Sequence, residues 1–255
     1  MELTIIIVNY RSEKLLNNCL FCIEKTLSSG TSFETILVNN DSKKITLEKS
    51  FPFISQIIQT KKNLGFGVAN NLGARYAKGK NILFLNPDTL IKKNCIERLL
   101  VFLSENPQVG IVGPRIIQSS RGASQPFTCG KKTSLYGILF RNTILKPWNK
   151  KNPILVDWVS GTALLIRKAI FEKIGGFDKN FFMYFEDQDL CLLTKKAGYD
   201  IVFFPNSSIV HFDGKCWSDN KKQKAAFYQA QDYFFKKHHG KLQASLLKML
   251  KKLAL

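Results

Sequence analysis

The sequence predicts an α/β fold with a mostly parallel central sheet flanked by helices. Three observations lead to it. The first half alternates short apolar, β-branched runs with amphipathic segments of helical period. The strand-like runs are apolar throughout, as strands buried on both faces are. Asn, Asp and Gly cluster directly after several of these runs, where loops leave the carboxyl ends of parallel strands.

The elements follow in order. Thr4–Val8 is a continuous apolar run and reads as the first strand. Ser12 to Ser29 places Leu15, Leu16, Cys19, Leu20, Ile23 and Leu27 on one face and reads as a helix ending near Gly30. Glu34–Asn39 and Ile54–Gln59 are the next strands. Val68–Lys78 reads as a helix with Gly79 as its stop. Asn81–Leu85 is a buried strand running into Asn86-Pro87-Asp88-Thr89. Asn94–Ser104 reads as a helix and Gly110–Gln118 as a strand. Ser119 to Pro153 is rich in Lys, Ser, Gly and Pro and reads as a long, partly mobile excursion. Order resumes with a strand over Val156–Ile166, which contains Gly161, then a helix over Lys168–Ile174. A short helix over Glu186–Ala197 is stopped by Gly198. Ile201–His211 holds one or two short strands, Lys221–His238 a helix, and Leu242–Leu255 another.

A chain of 255 residues is long enough for one large domain, or one domain and an appendage. Hydrophobic residues at 45%, with 20 Phe, allow a sizeable core and exclude a disordered chain. No apolar run reaches the ~18 residues of a membrane span. The start, MELTIIIVNY, lacks a basic leader and a cleavage site and reads as a strand, so the expected location is the cytoplasm. Cys19 and Cys22 form a lone C-x-x-C inside the first helix and read as buried thiols. The net charge of +19 points to an anionic partner, and charge alone leaves nucleic acid, anionic lipid and phosphorylated substrate open. The last stretch, KLQASLLKMLKKLAL, is a basic amphipathic helix suited to a membrane surface. Packing its Leu stripe on the domain is its other use.

Four features carry chemistry. Asp88 follows a buried strand in a tight turn, a place where a carboxylate can hold a divalent cation. Glu186, Asp187 and Asp189 fall in the first turn of a helix, after the aromatic run Phe181 to Phe185. The helix dipole favours them there, and partial burial would suit a general base. His211 ends a strand, whereas His238 and His239 lie in the basic tail and look incidental. Asn9-Tyr10, Asn39-Asn40-Asp41-Ser42, and Asn63 with Gly65, Gly67, Asn70 and Asn71 would line one sheet edge. There Tyr10 could stack on a base, and Gly65 and Gly67 would let backbone approach phosphate. The G-x-G lacks the third Gly of a dinucleotide fingerprint.

In order and completeness this set resembles the family 2 glycosyltransferases of the GT-A fold. It is most similar to the rhamnosyltransferase-like branch of bacterial surface-polysaccharide synthesis. The residues that carry the resemblance are IIIVNY with Arg11-Ser12, ILVNNDS, NLGFGVANNLGARYAKG, ILFLNPD, VSGTALLIRK, GGFDKNFFMYFEDQDLC, and Pro205 with Val210-His211. They extend from about Leu3 to Ser218. The resemblance implies a Rossmann-like nucleotide-binding half and an acceptor-binding half over residues 1–218, with residues 219–255 as a basic helical extension.

The resemblance also implies roles. Asp88 corresponds to the last residue of an Asp-x-Asp metal motif, with Asn86 in place of the first Asp, and His211 to a second ligand of Mg²⁺ or Mn²⁺. Asp187 corresponds to the catalytic base. Glu186, Trp158 and Gly161 fall on the acceptor side. Asn9, Tyr10, Asn39, Asp41, Asn63, Gly65, Asn70 and Asn86 fall on the nucleotide-sugar side. Many relatives carry Asp at the place of Asn39 and accept a pyrimidine N3–H with it. The Asn carbonyl is a weaker, neutral acceptor, and Asp41 is placed to compensate. The implied activity is an inverting transfer from dTDP-rhamnose, with UDP-hexoses open, to a growing, polyprenyl-linked glycan on the inner face of the cell membrane. No nucleic-acid-binding signature accompanies the positive charge.

Overall fold

The computed structural model describes residues 1–27, 30–135, 137, 147–212 and 220–253. Within these, the strands are β1 Leu3–Asn9, β2 Phe33–Asn39, β3 Ile54–Gln59, β4 Asn81–Leu85, β5 Thr89–Ile91, β6 Val109–Gln118, β7 Cys129–Gly130, β8 Ile154–Val156, β9 Trp158–Val159, β10 Ala163–Arg167 and β11 Asp200–His211. The helices are α1 Glu13–Thr26, α2 Phe66–Ala74, α3 Cys95–Glu105, α4 Lys168–Lys173, α5 Glu186–Lys196 and α6 Asn220–Leu253. The main sheet runs β3-β2-β1-β4-β10-β6-β11-β5, with β8 on β11, and a small ribbon pairs β7 with β9.

The first four strands are all parallel. Their carboxyl ends, at Asn9, Asn39, Gln59 and Leu85, therefore share one edge of the sheet. The second half is mixed: β10 runs antiparallel to both β4 and β6, and β11 runs parallel to β6 and antiparallel to β5. The edge strand β3 alternates half-buried and exposed residues, unlike the wholly buried β1.

Side chains alternate across the sheet. Ile5, Ile7, Leu83 and Leu85 face one layer with Leu16, Leu20 and Ile23 of α1 and Leu99 and Leu103 of α3. Ile6, Val8, Ile82 and Phe84 face the other with Ala69 of α2, Ile170 and Phe171 of α4 and Leu190 of α5. Cys19 and Cys22 are free thiols, and burial pushes Cys19 up to about 12. A third cluster joins Phe181 and Phe185 to Ala230, Phe234, Phe235, Ala244 and Leu247 of α6.

Several boundaries differ from expectation. The strand expected over 156–166 is three pieces. At Asp157 the chain bends from β11 to the β7 ribbon, the Asp157 N–H donating to the Gly130 carbonyl, and Ser160 to Thr162 form a turn. Ile201–His211 lies within one strand, irregular between Phe204 and Ser208. The two expected C-terminal helices are present within Asn220–Leu253 and meet at a non-helical Gly240. The Leu stripe is divided: Leu247 is buried, whereas Leu242, Leu246 and Met249 are exposed. Part of the 119–153 excursion and the 218/219 boundary lie outside the described residues.

Candidate active site

Asp88 and His211 are far apart in sequence and adjacent in space. Asp88 immediately precedes β5, His211 ends β11, and these strands pair with His211 opposite Thr89. The Phe212 N–H closes the ladder on the Asp88 carbonyl at 2.9 Å. His211 Nε2 thereby lies 3.3 Å from Asp88 Oδ1, with both side chains buried. His211 Nδ1 meets Gln125 Oε1 at 2.9 Å. A carbonyl oxygen can only accept, so Nδ1 turns a proton toward Gln125, and Nε2 is the ring nitrogen that faces Asp88. Gln125 was not singled out from sequence. It comes from the excursion after β6, and no local pattern marks it.

A carboxylate and an imidazole nitrogen are an apt donor pair for Mn²⁺ or Mg²⁺. Among the described residues no third His, Cys, Asp or Glu joins them, which leaves other coordination positions to substrate oxygens and water. Asn86 is tied through its backbone: its N–H donates to the Thr162 carbonyl at 2.9 Å, and its carbonyl accepts from Thr89 Oγ1 at 2.7 Å.

Asp187 opens α5. Its Oδ2 accepts from the Gly161 N–H at 3.0 Å, and its Oδ1 from the Gln188 N–H at 2.8 Å. The Gly161–Thr162 dipeptide therefore binds Asp187 on one side and the Asn86 turn on the other. A Cβ on Gly161 would lie 3.1 Å from the Phe66 ring and 3.6 Å from Asp187 Cβ. Glu186 is buried beside Asp187, and its Oε2 has no hydrogen-bond partner. Burial first, and then the Asp187 charge, push Glu186 up to about 8. Burial also raises Asp187. The pair shares its protons. A single negative charge settles on Asp187, which has two N–H donors, while Glu186 retains its proton.

Two left-handed residues, Tyr184 (φ 72°) and Phe185 (φ 65°), precede this pair. Each costs about 1–3 kcal/mol and persists where the surroundings over-determine it. Phe185 lies between Phe227 and Phe234 of α6, at centroid distances of 5.3 and 5.4 Å.

At the other end of the sheet edge, Asn9 Nδ2 donates to Asn39 Oδ1 at 2.8 Å, and both residues are fully buried. Asn39 Nδ2 donates to the Lys43 carbonyl and Gln59 Oε1. In this structure the Asn39 carbonyl is therefore engaged by Asn9 rather than turned outward. Tyr10 is partly exposed beneath the Arg11 guanidinium at 5.0 Å, and Arg11 Nε lies 3.3 Å from Asp41. Burial opposes ionisation of Asp41, but the backbone N–H groups of Lys43 and Ser42, together with Arg11, hold its carboxyl below the usual range.

Asn40 organises the next loop, donating to Asn63 Oδ1 at 3.0 Å and accepting from the Leu64 N–H at 2.9 Å. Asn63 Oδ1 also accepts from the Gly65 N–H. Gly65 and Gly67, expected to let backbone approach phosphate, also permit a close approach between segments of the chain. At Gly65 (φ 86°) a Cβ would lie 2.4 Å from the Phe182 carbonyl, and at Gly67 it would meet Phe177. These glycines let α2 close on the segment leading to Asp187. Asn70 is buried and donates to the Phe66 carbonyl in its own helix.

Trp158 lies on β9 and donates to the Lys131 carbonyl at 3.1 Å. The two tail histidines are not incidental. His238 Nε2 lies 2.6 Å from the fully buried Asp189, and His239 stacks on Phe235 and meets the Thr133 carbonyl at 2.9 Å.

The sheet order, with helices on both faces, is that of the GT-A fold. A family model described as glycosyl transferase family 2 matches residues 4–175, and the chain belongs to that family. Among its relatives, an N-acetylglucosaminyl-diphospho-decaprenol L-rhamnosyltransferase of Mycobacterium tuberculosis is 26% identical, over 89% of this chain and 82% of its own length. The low-salt glycan biosynthesis hexosyltransferase Agl10 of Haloferax volcanii is 29% identical over 78% of this chain. This chain spans 64% of the length of that relative. The rhamnosyltransferase WbbL of Escherichia coli is 26% identical, with 82% of each chain covered. Among solved structures, the mannosyltransferase PcManGT of Pyrobaculum calidifontis, in complex with GDP-Man and Mn²⁺, superposes with a TM-score of 0.63 at 16% identity, over 92% of this chain and 63% of that one. S. aureus TarS superposes with a TM-score of 0.64 at 19% identity, over 91% of this chain and 39% of that one.

Proposed function

We propose that this transferase moves rhamnose from dTDP-rhamnose to a hydroxyl of a lipid-linked glycan, with inversion and with a divalent cation. The observation that carries the reading is Asp187, a carboxylate held by two N–H groups beside the buried Glu186. Each of its oxygens keeps a further lone pair. Asp187 takes the proton from the acceptor hydroxyl as that oxygen forms its bond to the anomeric carbon. The bond from that carbon to the diphosphate oxygen breaks, and the nucleoside diphosphate leaves on the opposite face.

Asp88 and His211 Nε2 are the residues to hold the cation. A cation bound there offsets the charge growing on the leaving diphosphate. Tyr10, Asp41 and the Asn9–Asn39 pair form the nucleobase end of the sheet edge, and the loop of Asn63, with Asn70 and Asn86, extends that donor side. Trp158, Gly161 and Glu186 border the acceptor side. Rhamnose and a lipid-linked acceptor are supported by the names of the mycobacterial and E. coli relatives. The hexosyltransferase relative supports a hexose donor such as a UDP-hexose as the second reading.

Exposed Leu242, Leu246 and Met249, flanked by exposed Lys241 and Lys248, suit the anionic surface on which such an acceptor is embedded. Among the described residues no helix is long and apolar enough to cross a membrane.

A thermal-shift screen of nucleotide sugars with Mn²⁺ tests the donor, because a ligand of the folded state raises its apparent stability. dTDP-rhamnose is expected to give the largest shift. A larger shift with a UDP-hexose would replace it, and no shift with any nucleotide sugar would overturn the reading.

A further inference from the structure

The segment that carries the base is held by the C-terminal helix. Asp189, one turn into α5, is fully buried. It accepts from Lys237 Nζ at 2.7 Å and from His238 Nε2 at 2.6 Å, both from α6. Lys237 also binds Asp178 at 2.7 Å, which in turn accepts from Tyr233 Oη at 2.9 Å. Asp178 begins the stretch that ends at Asp187. Two ends of the base-bearing segment are thus tied to one side chain of α6.

The middle of the segment is tied as well. Tyr184 packs on Phe227 at 5.6 Å, and its hydroxyl accepts from Gln223 Nε2 at 3.0 Å. Phe181 packs on Tyr233 at 4.8 Å. Left-handed Tyr184 and Phe185 would relax without such partners, and the first turn of α5 would turn with them. A wholly buried carboxylate with two donors from one helix fixes the relative placement of both helices more strictly than apolar contact does, because hydrogen bonds are directional and a lost donor leaves a buried oxygen unsatisfied.

We propose that Lys237 and His238 are positioning residues for the transfer step. Through Asp189 they set the orientation of the first turn of α5, and so where Asp187 meets the acceptor hydroxyl. The basic C-terminal helix is then part of the catalytic centre. The inference rests on Asp187 being the base.

The test compares His238→Gln, whose amide N–H can still reach Asp189, with His238→Leu, which fills similar space without a donor. Lys237→Arg and Lys237→Met form a second pair should either His238 variant fail to fold. Turnover is measured well below each variant's melting temperature, alongside the donor-induced thermal shift. The donor-less variants are expected to lose at least tenfold in kcat, with donor KM and thermal shift within twofold of wild type. The conservative variants are expected to recover most of kcat. Equal turnover in all variants would overturn the proposal. So would equal loss in both members of a pair, which would mean packing alone. Asp187→Asn runs in the same assay: normal turnover there removes the base itself, whereas its loss beside an unaffected His238→Leu removes only the positioning role.

Discussion

The backbone N–H of Gly161 donates to Asp187 Oδ2 at 3.0 Å, while the carbonyl of Thr162, the next residue, accepts from the Asn86 N–H at 2.9 Å. One turn therefore joins the carboxylate that opens α5 to the loop that presents Asp88. If Asp187 is the base, Asp187→Asn keeps the shape and one of the two N–H contacts but cannot take a proton. Transfer is expected to fall by ~10²–10⁴. The donor-induced thermal shift is expected to stay within twofold, and normal turnover would exclude Asp187 as the base.

Asp88→Ala and His211→Ala remove the two side chains that face each other at 3.3 Å. Both variants are expected to lose the Mn²⁺-dependent part of the donor thermal shift, and wild-type transfer is expected to stop in excess chelator. Full activity in chelator would rule out the cation.

Gln125→Leu leaves the His211 Nδ1–H without its acceptor at 2.9 Å. Losing such an outer partner typically weakens metal binding about 10–100-fold. Titration of Mn²⁺ followed by electron paramagnetic resonance would show it, and an unchanged affinity would confine Gln125 to a structural role.

Glu186 has a folded-state pKa of about 8, raised from 4.5 by burial and by Asp187. The folded state thus holds this proton more tightly than the unfolded chain does. The contribution is fully present below pH 4.5 and is lost as pH rises toward about 8. Glu186→Gln cannot ionise, so its melting temperature is expected to fall less than that of wild type between these limits. Parallel curves would refute the assignment.

Gly65→Ala places a Cβ 2.4 Å from the Phe182 carbonyl at a φ of 86°. The cost is expected to be at least ~1–3 kcal/mol from the backbone alone. Chemical denaturation would measure it, and a neutral effect would mean that α2 can shift away from the base segment.

The order of elements was legible in the sequence because periodicity and burial are local. Apolar β-branched runs announced β1, β2 and β4, and Gly198 announced the end of α5, whereas α1 stops at Thr26 and α2 at Ala74, short of the expected Gly30 and Gly79. Asp88, Asp187 and His211 were legible as candidates because each follows or opens an element. Gln125 was not, because its value comes from a hydrogen bond to His211 that no spacing records. His238 and Asp189 were misjudged for the same reason: a histidine in a lysine-rich tail and an acid in a first helical turn are ordinary until the two helices are packed together. Gly65 was recognised as permissive, but what approaches it was not.

By itself, then, the sequence determined the α/β layering, the candidate carboxylates and the amphipathic tail, since these depend on residue type and period along one segment. Only the tertiary structure decided that β5 and β11 bring Asp88 to His211, that Gly161 holds Asp187, and that the tail helix grips the start of α5 through Asp189. Those contacts depend on strand register and helix packing between distant segments, and register and packing are set by the whole core at once.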